Sequence, residues 1–420
     1  MRILVVGAGG REHAIAWRLA QNPTVDRLYA APGNAGIARE ATCLPVVADD
    51  VEGIRKVIER EDIDLTVIGP ESSLAAGIVD ELEADGRRVF GPSREAARIE
   101  TSKEWTKDLC ERYGIPAGRS RAFSGVGDAE AYLDEMGPPY VVKVDGLASG
   151  KGVTVTDERG EAVVAIRSAL VDRAFGEAGA RVLVEEYLEG REVSAFAVTD
   201  GKEILPLVLA QDYKRADDGD IGPNTGGMGA YSPVDFVDEH TEQRIYDEII
   251  SWAVRAMEAE GVRFRGVLYA GCMLTEEGPK LLEFNCRFGD PEAEVIMPRL
   301  VSDLGEILLA CIEGNLSNYK VNWRPEPCVT VVAASGGYPG PHRTGFEIQG
   351  LRDAEEVDGA VVFHSGTAER NGRVVTAGGR VLSISGLGDS LADARATAYR
   401  ALERVSFDGM QYRTDIAGEA

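Results

Sequence analysis

Three stretches of the chain carry residue types that do chemistry when a fold brings them together. The first runs Val141-Val142-Lys143-Val144-Asp145-Gly146-Leu147-Ala148-Ser149-Gly150-Lys151-Gly152-Val153. It reads as strand, small-residue loop and strand, and such a loop folds over a triphosphate with its backbone amides while Lys143 and Lys151 neutralise the oxygens. It is not a Walker loop, because the Gly-x4-Gly-Lys-Ser/Thr spacing before a helix is missing; a glycine-rich hairpin with solvated lysines is the plain alternative. The second stretch, Leu281 to Glu292, places Glu283 and Asn285 at i and i+2. On a strand those positions share one face while Phe284 packs oppositely. Two oxygen ligands side by side suit Mg²⁺ bridging ATP phosphates, although Glu-x-Asn taken alone is a common pair that usually binds nothing.

The third stretch is Gly7-Ala8-Gly9-Gly10-Arg11-Glu12-His13, set between a strand and a helix, where backbone N–H groups can approach a phosphate. Glu12 stands where the dinucleotide fingerprint needs a third glycine or alanine. The second strand ends Ala30-Ala31-Pro32-Gly33 with no acidic residue for a ribose hydroxyl. An NAD site is therefore disfavoured, leaving a site for a simpler phosphate or a tight structural turn. Two more loops, Pro32 to Gly36 and Gly69 to Ser73, follow strands of the same sheet. In open α/β sheets ligands sit beyond those strand ends, and a sugar phosphate would fit there.

The elements that position these residues follow from periodicity. Short β-branched runs at Ile3–Val6, Arg27–Ala30, Leu65–Ile68 and Arg88–Phe90 alternate with helical stretches, which predicts a parallel α/β sheet over residues 1–101. A helix is predicted from Lys103 to Arg112, stopped by Gly114 and Pro116. An α+β unit follows at about 121–188, with strands Tyr140–Val144, Val153–Thr156 and Arg181–Glu185 and a helix near Ala162–Val171. Strands Val193–Val198 and Glu203–Ala210 precede a polar, glycine-rich stretch, Asp212–Pro233, that reads as a long functional loop. A helix (Glu239–Glu260) and strands Gly266–Leu274 and Lys280–Phe284 complete a central domain at 102–324. Residues 325–420 form a small, mostly β domain with a hairpin signal at Arg370-Asn371-Gly372-Arg373.

Composition bounds the function. At 420 residues the chain exceeds the ~250–300 residues at which one core stops growing. Its net charge of −25 repels nucleic acid. No apolar run approaches the ~18 residues of a membrane span, and Ile3–Val6 is too short for a signal peptide. Six cysteines show no Cys-x-x-Cys pair or zinc spacing, and read as reduced thiols of a cytoplasmic protein. Only nine of the 45 basic residues are lysines, so lysines beside glycine-rich loops stand out.

Taken together the segments resemble the phosphoribosylamine–glycine ligases (glycinamide ribonucleotide synthetases), a branch of the ATP-grasp family. The resemblance covers essentially the whole chain. It rests on Gly7–Ala14, Gly69-Pro70-Glu71, Ser102-Lys103, Lys143–Val153, Glu185–Ser194, Gly222–Pro233, Arg287–Glu292, Val362-Phe363-His364 with Gly366-Thr367, and Gly378–Val381. It departs at Tyr213, where histidine is common, at Glu294, where glutamine is common and which adds a negative charge, and at Ser365, where alanine is usual.

The resemblance implies a parallel α/β N-terminal domain, a central ATP-grasp fold of two α+β subdomains and a small C-terminal domain. It implies that ATP phosphorylates glycine and that the amine of 5-phosphoribosylamine attacks the resulting glycyl phosphate. Lys103, Lys143 and Lys151 would hold ATP phosphates, with Gly150 and Gly152 closing over them. Glu185, Glu186, Tyr187 and Leu188 would face the adenine and Glu192 the ribose. Glu283 and Asn285 would hold Mg²⁺ or Mn²⁺. Arg287 would stabilise the acyl phosphate, with Asp290 near the amine and Asp212 and Lys214 at the reacting centre. Gly9, Gly10, Arg11, Gly33, Asn34, Pro70 and Glu71, with Asn224, Thr225, Gly226 and Gly227, would bind substrate. His13 and His364 are expected to be structural or substrate-orienting. The partners implied are small molecules, with no nucleic acid and no membrane, and the chain is expected to be a monomer, a dimer being the alternative. Two rivals stay open at this point: another ATP-grasp carboxylate–amine ligase or a related carboxylase, and a nucleotide-binding module without turnover.

Overall fold

In the computed structural model, which describes residues 1–148 and 152–418, the chain opens on an all-parallel sheet. Its strands are β1 (Arg2–Gly7), β2 (Arg27–Pro32), β3 (Thr42–Cys43), β4 (Leu65–Ile68) and β5 (Val89–Phe90), in the order β3-β2-β1-β4-β5. Both faces of β1 are covered. Ile3 and Val5 join a core with Ala14 and Ile15 of helix Gly10–Ala20, whereas Leu4 and Val6 join one with Ile54 and Leu82 from the helices opposite. A continuous apolar run such as Ile3–Val6 is what a doubly covered parallel strand requires. The strand order reverses around β1, so the loops after β1 and β4 flank the crevice at the switch point.

Four strands then form a separate antiparallel sheet: β6 (Ser120–Phe123), β7 (Tyr140–Val144), β8 (Val153–Thr156) and β9 (Val182–Glu185), ordered β6-β9-β7-β8. Tyr140, Val142, Val144, Val182 and Val184 face its own core with Leu133 and Ile166 from the covering helices. Period-two alternation therefore turns Lys143 and Glu185 to the opposite face.

The chain continues through β10 (Arg191–Thr199) and β11 (Ile204–Pro206), where the expected strand to Ala210 stops early, leaving only a single bridge from Ala210 to Ser194. Residues 211–232 are not a structureless loop. They hold β12 (Gln211–Asp212), a hairpin of β13 (Arg215–Asp217) and β14 (Ile221–Asn224), and β15 (Gly229–Ser232). The second central sheet closes with β16 (Gly266–Thr275) and β17 (Gly278–Asn285), in the order β11-β10-β16-β17.

The C-terminal sheet is built on β18 (Cys328–Ala334), β19 (Ala360–His364) and β22 (Arg380–Leu387), ordered β12-β15-β18-β22-β19, and so recruits two strands from the middle of the chain. β15 pairs with β18 about a hundred residues later, which no local pattern announces. The hairpin of β20 (Thr367–Arg370) and β21 (Arg373–Thr376) turns at Asn371 (φ 52°) and Gly372 (φ 73°), the left-handed pair its sequence predicts. Among the described residues no helix is long and apolar enough to cross a membrane.

Candidate functional site

Lys103 starts helix Lys103–Tyr113, which Ser102 caps by accepting from Trp105 N–H. Lys107 follows one turn later on the same side. Lys107 Nζ lies 3.1 Å and Lys143 Nζ 3.0 Å from Glu185 Oε2, so one buried carboxylate holds two ammonium groups. Lys143 also donates to Leu282 O at 3.3 Å, and Lys103 Nζ reaches the carbonyls of Asp145 and Gly146 at 3.4 and 3.3 Å. Burial opposes the charge on Lys143, but Glu185 and Glu283 outweigh it and hold the ammonium above its ordinary range. Glu185 Oε1 is buried with no partner in the described residues. Glu185 thus serves its two lysines through its side chain, and the irregular segment Glu186–Leu188 that follows lines the same cavity.

The register of β16 and β17 slips between Gly271 and Cys272, leaving Leu282 unpaired in a bulge. The bulge places Leu281 and Phe284 both in the core while Leu282, Glu283 and Asn285 line the cavity, and it frees the Leu282 carbonyl for Lys143. Burial pushes the Glu283 carboxyl up, yet Lys143, Lys214, Lys103 and Arg287 together hold it below the usual carboxylate range. Among the described residues Glu283 has no cation within ion-pair distance, and no cluster of three or more His, Cys, Asp or Glu forms a cage of its own. An anionic carboxylate and an amide oxygen on one cavity wall fit a hard divalent cation that draws its other ligands from phosphate and water.

Across the cavity Lys214 pairs closely with Glu192 and lies 3.4 Å from Asp212 Oδ1. Desolvation pushes the Asp212 carboxyl up to about 7, against the pull of Lys214 and with the help of Glu292 and Glu192. Behind it Tyr269 donates to Glu292 at 2.7 Å, and Ser194 donates to the same Glu292 oxygen at 3.2 Å. Tyr213, the first departure, packs under Arg413 (4.9 Å from its ring centre) and accepts from Ala417 N–H.

The far end of the cavity is lined by arginines. Arg287 Nε lies 3.3 Å from Glu71 and Nη2 2.9 Å from Glu100, while Arg11 pairs with Glu12 at 2.6 Å and Glu71 at 3.6 Å. Burial opposes ionisation of Glu71, but Arg287 and Arg11 override it and bring the carboxyl down to about 2. Asp290 is paired not with Arg287 but with Arg380 of the C-terminal domain, at 3.0 Å.

One donor of the first glycine loop is taken by the protein itself. Glu12 accepts from Gly9 N–H at 2.6 Å, and a Cβ at Gly7, Gly9 or Gly69 would lie within 2.8 Å of its side chain. The switch-point crevice is filled by the protein's own carboxylate. Gly10 packs against Glu294 and Ser365, Gly33 against Cys43, and Gly227 against Pro291. The Asn34 amide donates to Ala8 and His364 carbonyls, and its oxygen accepts from Gly36 and Ile37. Gly9, Gly10, Gly33, Asn34, Pro70 and Gly227, also expected to bind substrate, are not among the residues that line the cavity and flank those that do. Glu294, buried completely beside Asp290, is pushed well above the usual carboxylate range, first by burial; it keeps its proton and does not add the charge expected of it. His13 and His364 are structural: His13 Nδ1 accepts from His364 N–H at 2.7 Å, joining the first domain to the last.

One cavity of about 1540 Å³ gathers the remaining expected residues: Lys103, Lys143, Gly152, Glu185–Leu188, Glu192, Asp212, Lys214, Asn224–Gly226, Glu283, Asn285, Arg287, Asp290, Arg11 and Glu71. Its volume exceeds the ~300–1,000 Å³ of a pocket for one small ligand, so it has room for several. Gly150 and Lys151 lie outside the described residues. Sequence reasoning missed Lys107, Glu100, Glu292, Tyr338 and Arg380. Lys107 had a signal, four residues after Lys103 in a lysine-poor chain; the others had none beyond lying near or within family segments.

Antiparallel sheets that enclose a lysine-lined cavity, with a carboxylate–amide pair on the facing strand, define an ATP-grasp ligase. The N, ATP-grasp (A) and C domain profiles of phosphoribosylglycinamide synthetase match residues 1–100, 101–293 and 328–419. A phosphoribosylamine–glycine ligase of Caldanaerobacter subterraneus is 48% identical over 99% of both chains, and one of Caulobacter vibrioides 49% identical over 100% of this chain and 98% of that one. The crystal structure of the Thermotoga maritima phosphoribosylamine–glycine ligase superposes with a TM-score of 0.86 at 36% identity, covering 99% of this chain and 100% of that one. The chain belongs to the phosphoribosylglycinamide synthetase family. The fold alone is shared more widely, as with the biotin carboxylase domain of a Hydrogenobacter thermophilus 2-oxoglutarate carboxylase (TM-score 0.73, 16% identity, 98% and 91% of the two chains).

Proposed function

We propose that the chain joins glycine to 5-phosphoribosylamine with ATP, giving glycinamide ribonucleotide, ADP and phosphate, as a cytoplasmic enzyme of purine biosynthesis acting as a monomer. The observation that supports this most is the convergence of the lysine cluster, the Glu283–Asn285 pair and the Asp212–Lys214 pair on one cavity, in a chain with full-length relatives bearing that ligase name. A glycine carboxylate oxygen attacks the γ-phosphorus, the bond to ADP breaks, and glycyl phosphate forms. The amine nitrogen then attacks the acyl carbon, and the carbon–oxygen bond to phosphate breaks.

Three anionic species must meet, so the protein's part is positioning and charge neutralisation. Lys103 and Lys143 take the ATP phosphates, and Glu185 fixes Lys143 and Lys107 toward them. The adenine lies along Tyr187 and Leu188, with Glu192 offering the ribose the oxygen that Lys214 leaves free. Glu283 and Asn285 would hold Mg²⁺ or Mn²⁺, which when bound neutralises phosphate charge. The Asp212 carboxylate takes the proton that the attacking amine must lose, with Asp290 near that amine. Arg287 stabilises the acyl phosphate oxygens. Arg11 and Glu71 with Asn224–Gly226 hold the phosphoribosyl group, and the hairpin of β13 and β14 keeps water from the acyl phosphate.

The test is coupled ADP release with glycine and freshly made phosphoribosylamine, each omitted in turn. ADP should form only with glycine present, and product only with both. ADP formation indifferent to glycine would overturn the assignment in favour of another ATP-grasp ligase.

A further inference from the structure

The C-terminal domain holds the loop over the reacting centre by both backbone polar groups of one residue, Gly226. Tyr338 Oη accepts from Gly226 N–H at 3.0 Å, and Arg380 Nη1 donates to Gly226 O at 2.7 Å. The same Nη1 lies 2.8 Å from Asp290 O and 3.0 Å from Asp290 Oδ1. A single guanidinium nitrogen therefore ties the Asn224–Gly227 loop to the turn that carries Asp290. The contact leaves no slack, since a methyl group at Gly226 would sit 3.0 Å from Arg380 Cζ. Both Arg380 and Tyr338 lie on the cavity wall, and the Tyr338 carbonyl is itself held by Gln411 at 2.7 Å. Burial opposes the charge on Arg380, and Asp290 is its strongest counterweight.

We infer that Arg380 is a positioning residue that, with Tyr338, locks the Gly226 loop against Asp290 and so couples ATP cleavage to ligation. Glycyl phosphate has two fates. The amine attacks the acyl carbon and the carbon–oxygen bond to phosphate breaks, giving the amide; or water attacks the same carbon, the same bond breaks, and glycine and phosphate return with a net hydrolysis of ATP to ADP and phosphate. A loop anchored through both the N–H and the C=O of one residue bars the second route. A loop released from Arg380 leaves the lysine end and its ATP contacts in place while admitting water to the acyl carbon.

This inference rests on the proposed ligation, and the ratio of ADP formed to glycinamide ribonucleotide formed separates the two. In the unaltered enzyme the ratio should be 1, with ADP dependent on glycine; ADP independent of glycine sinks the ligation reading itself. In Arg380→Ala the ratio should rise to about 3 or more, with KM for glycine and phosphoribosylamine raised and KM for ATP within about twofold, the pattern expected of an interaction made at the reacting end alone. Tyr338→Phe should move the ratio the same way by less, and Arg380→Lys should restore part of the coupling. A ratio of 1 in both Arg380→Ala and Tyr338→Phe overturns the inference, as does a rise in the ATP KM that matches the others. Should Arg380→Ala fail to fold by thermal melting, Tyr338→Phe decides alone: a ratio above 1 upholds the lock and a ratio of 1 ends it.

Discussion

The two ends of the cavity carry basic residues of different kinds, and they treat their charge differently. At the nucleotide end Lys107 and Lys143 share one carboxylate, Glu185, whose second oxygen has no partner, and Lys103 rests on the Asp145 and Gly146 carbonyls. At the other end Arg11, Arg287 and Arg380 face Glu12, Glu71, Glu100 and Asp290. The arginine-rich end is by formal charge the more negative of the two. Lysine presents a compact charge on a flexible stem, suited to a nucleotide tail that comes and goes, whereas the planar guanidinium spends its fixed donors on the protein's own oxygens and holds the wall in place. An excess of carboxylates there also suits the amino groups of the proposed substrates. Counting basic residues alone would have missed that the nucleotide end is the more positive of the two.

Four changes break or sharpen this contrast. Glu283→Ala should have the largest effect, lowering turnover roughly 10²–10³-fold, the scale of losing one electrostatic stabiliser, while the melting temperature barely moves; turnover like that of the parent would remove the metal assignment. Asp212→Asn should cost about 10²-fold at pH 8, as expected for a lost general base. The parent's rate should also fall tenfold per pH unit below about 7, where the Asp212 carboxyl takes up its proton, and a pH–rate profile of the variant should lack that limb.

Lys143→Ala should raise the KM for ATP by about tenfold. It should also lower unfolding free energy by about 1–3 kcal/mol, because Glu185 loses one of its two buried donors; an unchanged ATP titration would place the phosphates elsewhere. The last change leaves turnover aside and concerns the junction behind the arginine end. Burial holds His364 down at about 4 and His13 well below its ordinary value, so both are neutral in the folded chain. As pH falls from about 6.5 toward 4 the unfolded chain binds the extra protons, and stability should drop by about 1.4 kcal/mol per unit for each histidine. The His364 share should be complete by pH 4. Denaturant melts of His364→Gln across that range should be flatter than those of the parent, and equal slopes would count against the interface role.

The legible parts of the fold and site were those with a local signature. Ile3–Val6 announced a covered parallel strand, Asn371-Gly372 a hairpin turn, and Glu283 with Asn285 a shared face, and each stands where the pattern put it. The Gly7–Gly10 loop was open to two readings because its glycines look the same whether they make room for a phosphate or for the Glu12 side chain that packs on Gly7 and Gly9. The stretch 212–233 read as loop because β15 completes its hydrogen bonds with β18, far along the chain. Nothing near Asp290 in sequence announced its partner, Arg380, which lies 90 residues further along the chain and 3.0 Å away in the fold.

The amino-acid sequence by itself determined the parallel sheet, the alternation that turns Lys143 and Glu185 away from their own core, and the kinds of ligand the cavity residues can hold. These depend on side-chain type and on periods of two or a few residues, which a chain carries before it folds. Tertiary structure alone decided that Glu185 would serve two lysines, that Glu12 would fill the switch-point crevice, and that Glu294 would keep its proton beside Asp290. Pairing, burial and ionisation depend on which groups the folded chain packs around each side chain and at what distance, and those distances exist only once the chain has folded.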